Sequence, residues 1–136
     1  MKSDDINTLI KHRLDQAQTA LDDAKFLCEG KRSSQSILNR AYYAMFYAAL
    51  ALLQKIGKVP SKHTGVISLF DTEFVIKGIF TKELSKNFHK LFEMRQVSDY
   101  KTLDETTAEQ VEDAIKRAGL FVESVIKYIE TDNLPS

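Results

Sequence analysis

A chain of 136 residues is long enough for one domain and too short for two comfortable ones. Hydrophobic residues make up 43% and charged ones 28%, which supplies a core and excludes a disordered composition. Nineteen Lys plus Arg balance nineteen Asp plus Glu, so coating of DNA or an anionic membrane through bulk charge is excluded and only a local basic site stays open. The single cysteine, Cys28, rules out an internal disulfide and a cysteine-based zinc site. Met1-Lys2-Ser3-Asp4-Asp5 opens with acids rather than leading into an apolar run, and no stretch approaches the roughly 18 apolar residues of a membrane span. The sequence therefore predicts no membrane association and a cytoplasmic location.

With five Gly and two Pro, the chain lacks the punctuation that strand-and-turn architectures need, and its apolar residues recur at helical spacing. An all-α bundle of about five antiparallel helices is expected, forming one domain over residues 1–131 with a loose tail at 132–136. The first helix runs from about Asp5 to Glu29, with Ile6, Leu9, Arg13, Ala17, Ala20, Ala24 and Leu27 along one stripe, and Gly30 ends it. The second starts after the capping candidates Ser33-Ser34 and carries Leu38, Ala41, Tyr42, Met45, Ala49, Leu52 and Ile56 on one face, ending at Gly57 and Pro60. Ser61 is the expected cap of a shorter third helix with Val66, Leu69, Phe70 and Phe74. After the apolar connection 76–80, Thr81 caps a fourth helix whose inner stripe is Leu84, Phe88, Leu91 and Arg95 and whose end falls near Val97. Thr106-Thr107-Ala108-Glu109 fits a capping box for a fifth helix, which continues through Val111, Ala114, Ala118, Phe121, Val122, Val125 and Ile129.

The second helix has two apolar faces. Opposite its core stripe lie Arg40, Tyr43 and Tyr47, with Phe46 between, and a helix apolar nearly all round is buried on both sides. A second copy of the chain is the expected cover, which makes Tyr43, Phe46 and Tyr47 a predicted homodimer interface; cover by the fifth helix within one chain is the alternative. Charge is uneven too. Residues 31–70 hold six Lys or Arg (Lys31, Arg32, Arg40, Lys55, Lys58, Lys62) and no acid, whereas residues 102–136 hold eight acids against three bases. The basic middle reads either as a surface for phosphate or as a complement to the acidic last helix. Arg40 stands apart because an unpaired guanidinium among aromatics would be costly.

The run Asn39-Arg40-Ala41-Tyr42-Tyr43-Ala44-Met45-Phe46-Tyr47, then Ser61-Lys62-His63, then Arg95-Gln96-Val97-Ser98-Asp99-Tyr100, resembles the HEPN superfamily, and more narrowly its small stand-alone prokaryotic members. The resemblance extends over nearly the whole chain. It implies a helical bundle that dimerises, with a polar cleft near the two-fold interface. It also implies a nucleotide- or RNA-binding role beside a minimal nucleotidyltransferase in a toxin–antitoxin-like system, with no cofactor and no metal. Catalytic members are metal-independent ribonucleases that carry Arg followed, after about four to six residues, by His. Here Arg95 matches the arginine, but Tyr100, Lys101 and Thr102 stand where the histidine would fall.

That departure has chemical weight, because metal-free RNA cleavage needs proton-transfer groups near neutrality, and tyrosine at about 10 or aspartate at about 3.9 serves poorly unless shifted. The leading expectation is therefore a binding module that uses Arg40, Lys62, His63, Arg95, Ser98 and Tyr100 for phosphate. A ribonuclease with an altered site built from Arg95, Asp99 and Tyr100, aided by Arg40 or His63, comes second, and a purely structural interaction protein third. Arg95 is read either as a phosphate fork or as a partner of Asp99 one turn on. Lys62 and His63 lie at a helix start, where the dipole favours anions; His12, His63 and His89 otherwise read as surface or packing residues.

Overall fold

A computed structural model describes residues 3–100 and 106–132; the side chains of residues 3, 98–100 and 132 lie outside the description, as do the rest of the expected tail and the 101–105 connection. Five helices follow in order: α1 (Ser3–Glu29), α2 (Ser34–Lys55), α3 (His63–Phe70), α4 (Lys82–Tyr100) and α5 (Ala108–Asp132). No strand occurs among the described residues, and no helix there is long and apolar enough to cross a membrane. The bundle is all-α, as the periodicity predicts.

α2 is the hub. Its most extensive packing is with α1, and it also meets α5, α4 and α3. Alanine explains why α1 lies so close: Ala17, Ala20 and Ala24 on α1 and Ala41, Ala44, Ala48 and Ala51 on α2 are all buried, and small side chains let two backbones approach without a cavity. The other side of the core is aromatic. Phe70 from α3, Phe88 from α4 and Phe121 from α5 form a triangle with ring centroids 5.0–5.7 Å apart, the range in which edge-to-face and tilted rings attract. The buried stripe of α5, Val111 through Ile129, closes the bundle at the spacing its sequence shows.

Most helix boundaries follow local chemistry. The Ser33 side chain accepts from the backbone N–H of Ser36, and Thr81 accepts from that of Leu84, so both predicted caps form. The predicted capping box exists one residue later: the Gln110 backbone N–H donates to Thr107 Oγ1 at 3.1 Å and the Thr107 N–H to Gln110 Oε1 at 2.9 Å. Glutamine serves as well as glutamate there, because the box needs only an acceptor at that spacing. Ser61 is not the cap of α3. The helix begins at His63, and Lys62 occupies the cap position without a side-chain bond, since an ammonium has no acceptor to offer. α4 extends past the expected end near Val97 to Tyr100.

α3 does not run on to Phe74. It passes at Asp71 into a single π-helical turn, Asp71–Val75, which still buries Phe74. Asp71 holds this turn to α4, accepting from Ser85 Oγ at 2.6 Å and pairing with His89 Nε2 at 2.6 Å. Glu73 on the same turn binds Lys58 and Lys77, whose hydrogen bonds hold its carboxyl at about 2. Lys58 therefore pairs with this turn rather than with the acidic last helix.

Gly57 ends α2 with a φ of 73°, in the left-handed region that side chains with a Cβ adopt at a cost. Gly57→Ala is expected to destabilise the protein by about 1 kcal/mol, read as a lower urea midpoint with an unchanged slope. Open space around that position leaves backbone strain as the cause.

Candidate functional site

The site sits where α2, α3 and α4 converge. Tyr42 on α2 is wholly buried, and burial of a phenol requires a partner for its hydroxyl. His63, the first residue of α3, provides it: Nδ1 lies 3.1 Å from the Tyr42 oxygen. The imidazole stacks on Phe46 with centroids 4.3 Å apart and meets the Tyr43 ring edge-on at 5.7 Å. Arg95 on α4 completes the cluster, its guanidinium carbon 5.1 Å from the Tyr42 centroid and 5.4 Å from that of Tyr43. Aromatic faces attract a cation, and a guanidinium held this way keeps its donors in a fixed plane.

Burial and charge tune the two titratable groups at the centre. Loss of solvent pushes the Tyr42 phenol well above its ordinary value, with Arg95 working in the opposite direction, so the hydroxyl keeps its proton. Burial also pulls His63 below its ordinary 6.5, and the Arg95 charge adds to that shift, so the ring is neutral at physiological pH. The cluster thus combines a fixed cation, a neutral imidazole and a hydrogen-bonded phenol on an aromatic bed. It can receive an anion at Arg95 and accept a proton at His63.

Of the predicted residues, the structure brings His63 and Arg95 together, with Arg40 at the edge of the same aromatic group. Arg40 is half-buried, donates from Nε and Nη2 to Asn39 Oδ1 at 3.2 and 3.1 Å, and lies 5.5 Å from the Tyr43 centroid. Its charge is thereby accommodated at the edge of the same aromatic group. Arg40 also borders a shallow cleft of about 330 Å³ between α1 and α2 with His12, Asp15 and Tyr47. Lys62 is exposed beside His63. His89 is bound to Asp71, outside the cluster. Ser98, Asp99 and Tyr100 lie on the last turn of α4, but their side chains, and with them the predicted Arg95–Asp99 pair, fall outside the described residues.

Tyr43, Phe46 and Tyr47 are half-buried in the single chain and form a continuous aromatic strip, with neighbouring centroids 5.7–6.1 Å apart. Tyr42 is the member of this cluster that the sequence pattern does not single out, because its place on the core stripe of α2 is what the pattern shows. The available signal was its hydroxyl, which a core position does not satisfy. Among the described residues no group of three His, Cys, Asp or Glu side chains is placed to hold a metal ion.

Comparison with known proteins bears on this geometry. The family model described as the HEPN domain matches residues 10–129. A UPF0332 protein of Thermotoga maritima is 42% identical over 122 residues, covering 90% of this chain and 92% of that protein. A Methanocaldococcus jannaschii protein provisionally named a toxin is 35% identical over 126 residues, with 93% and 92% coverage. A UPF0332 protein of Archaeoglobus fulgidus is 30% identical over 115 residues, with 82% and 87% coverage.

Proposed function

As the chain belongs to the HEPN family, we propose that it binds the phosphate of RNA or a nucleotide at the Arg95 cluster, acting as a homodimer beside a minimal nucleotidyltransferase in a toxin–antitoxin-like pair. The observation that carries this reading is Arg95 lying over the rings of Tyr42 and Tyr43. A guanidinium held beside aromatic rings keeps the planar fork of donors that can grip two phosphate oxygens at once. The chain has no net charge to gather polyanions, so affinity has to come from this local group. The relatives provisionally named toxins support a toxin-like role in the cell. That role also favours a second reading, a ribonuclease, for which the site needs a proton-transfer group.

Titration calorimetry with a short single-stranded RNA tests the binding. Wild type is expected to bind, with affinity falling as salt rises because phosphate contacts release counterions, and Arg95→Ala is expected to abolish the salt-sensitive component. Binding of equal strength in Arg95→Ala would contradict the assignment.

A further inference from the structure

We propose that His63 is the proton acceptor of this site, with its Nδ1 held 3.1 Å from the Tyr42 hydroxyl so that Nε2 takes the 2'-hydroxyl proton of an RNA whose phosphate rests on Arg95. The proposal rests on the phosphate-binding reading above and adds the chemistry that reading lacks. The histidine missing after Arg95 in sequence is replaced by one arriving from another helix. His63 and Arg95 share two neighbours: the His63 ring lies 6.0 and 5.7 Å from the centroids of Tyr42 and Tyr43, and the Arg95 guanidinium 5.1 and 5.4 Å. The Arg95 charge is felt at the His63 ring, so a phosphodiester seated on the guanidinium is placed to meet the imidazole.

The step balances without a metal. The 2'-oxygen forms a bond to phosphorus as its proton passes to Nε2, and the P–O5' bond breaks with its electron pair going to O5'. That oxygen takes a proton from solvent water, and the hydroxide so formed recovers the proton from the imidazolium. The products are a 2',3'-cyclic phosphate and a 5'-hydroxyl end. Catalysis by Nε2 requires the tautomer in which Nδ1–H donates to the Tyr42 oxygen, and the same bond stabilises the imidazolium once it forms. Tyr42 is thus a positioning residue: it orients the ring and selects its tautomer, as the Phe46 stack fixes its plane.

Among the described residues, the titratable and charged groups that meet His63 are Tyr42 and Tyr43 from α2 and Arg95 from α4, and none of these is a carboxylate that would hold the imidazolium and block turnover. The lowered proton affinity of His63 keeps Nε2 unprotonated at neutral pH, where a base has to be ready.

The experiment uses the full chain, an end-labelled single-stranded RNA, a chelator and no added metal, with an all-deoxy copy of the oligonucleotide as control. Wild type is expected to yield cyclic-phosphate ends and to leave the deoxy strand intact, at a rate that falls with pH through a midpoint below 6.5. His63→Ala and His63→Gln are expected to lose about 10²-fold or more in rate while still binding RNA. Free imidazole should restore part of the His63→Ala rate, a response that a purely structural histidine would not give. Tyr42→Phe should move the midpoint of the pH profile, because the Nδ1 partner is gone. Binding without cleavage by wild type, or wild-type cleavage by His63→Gln, would overturn the role of His63 and leave Arg95 as a phosphate site. Absence of binding by wild type would overturn the phosphate-binding reading itself, and this proposal with it.

Discussion

Phe88→Ala is expected to destabilise the protein by about 3–5 kcal/mol, the range for deleting a buried aromatic ring. The ring has no exposed surface and touches three aromatic neighbours from three helices: Phe70 at 5.7 Å, Phe121 at 5.0 Å and Tyr42 at 6.1 Å between centroids. Its removal leaves a cavity that α3, α4 and α5 would have to move together to fill, and close-packed interiors collapse only in part. Domains of this size have about 5–15 kcal/mol of total stability, so the variant should unfold at a much lower urea concentration. The effect reaches the site as well, because Phe88 backs the Tyr42 ring on which Arg95 rests and to which His63 is bound. RNA affinity should therefore fall even in buffer where the variant is folded by circular dichroism. A loss below about 1 kcal/mol, the usual centre for point substitutions, would mean that the aromatic triangle is not the core.

The helices were legible in the sequence because each has an apolar stripe at helical period and most have a cap that needs only neighbouring residues. Ser33 and Thr81 do in three dimensions what their spacing says, and α5 can be read from Val111 to Ile129. Local pattern failed where the deciding partner is remote. The π turn at Asp71 depends on Ser85 and His89 of α4, which no short window around Asp71 contains. Ser61 has the right chemistry for a cap, yet α3 starts two residues on at His63, where the ring can stack on Phe46 and reach the Tyr42 hydroxyl.

The site shows the same division. Arg95 was legible through its place in a motif, and its position on the inner stripe of α4 with Leu84, Phe88 and Leu91 is what turns it toward α2. His63 was named as a residue at a helix start, but its nearness to Arg95 arises from tertiary packing that brings two segments more than thirty positions apart against the same pair of tyrosines. Tyr42 fits the apolar stripe of α2, and nothing in that pattern shows where its hydroxyl goes. A buried phenol always carries a second question, namely what accepts or donates at its oxygen.

Truncating the aromatic strip is expected to have the largest effect on assembly. In the proposed two-fold dimer every interface residue acts twice, so the double variant Tyr43→Ala/Tyr47→Ala removes four rings from one interface. At about 1 kcal/mol or more for each aromatic truncation, the loss is about 4 kcal/mol, and at about 1.4 kcal/mol per factor of ten the dimer dissociation constant should rise about 10³-fold. These side chains suit the test because they are half-buried in the single chain, and the Phe88 core lies on the other side of Tyr42, so the fold should survive their loss. Tyr43→Glu is the weaker test, since the Arg40 and Arg95 guanidinium groups 5.5 and 5.4 Å from that ring would offset the new charge. Light scattering at micromolar concentration should find a dimer for wild type and a monomer for the double variant, with the same helical signal in both. A monomeric wild type would overturn the dimer. A double variant that stays dimeric would place the interface elsewhere than on Tyr43, Phe46 and Tyr47, and the aromatic strip would then be left to α2's own packing and to the ligand of Arg95.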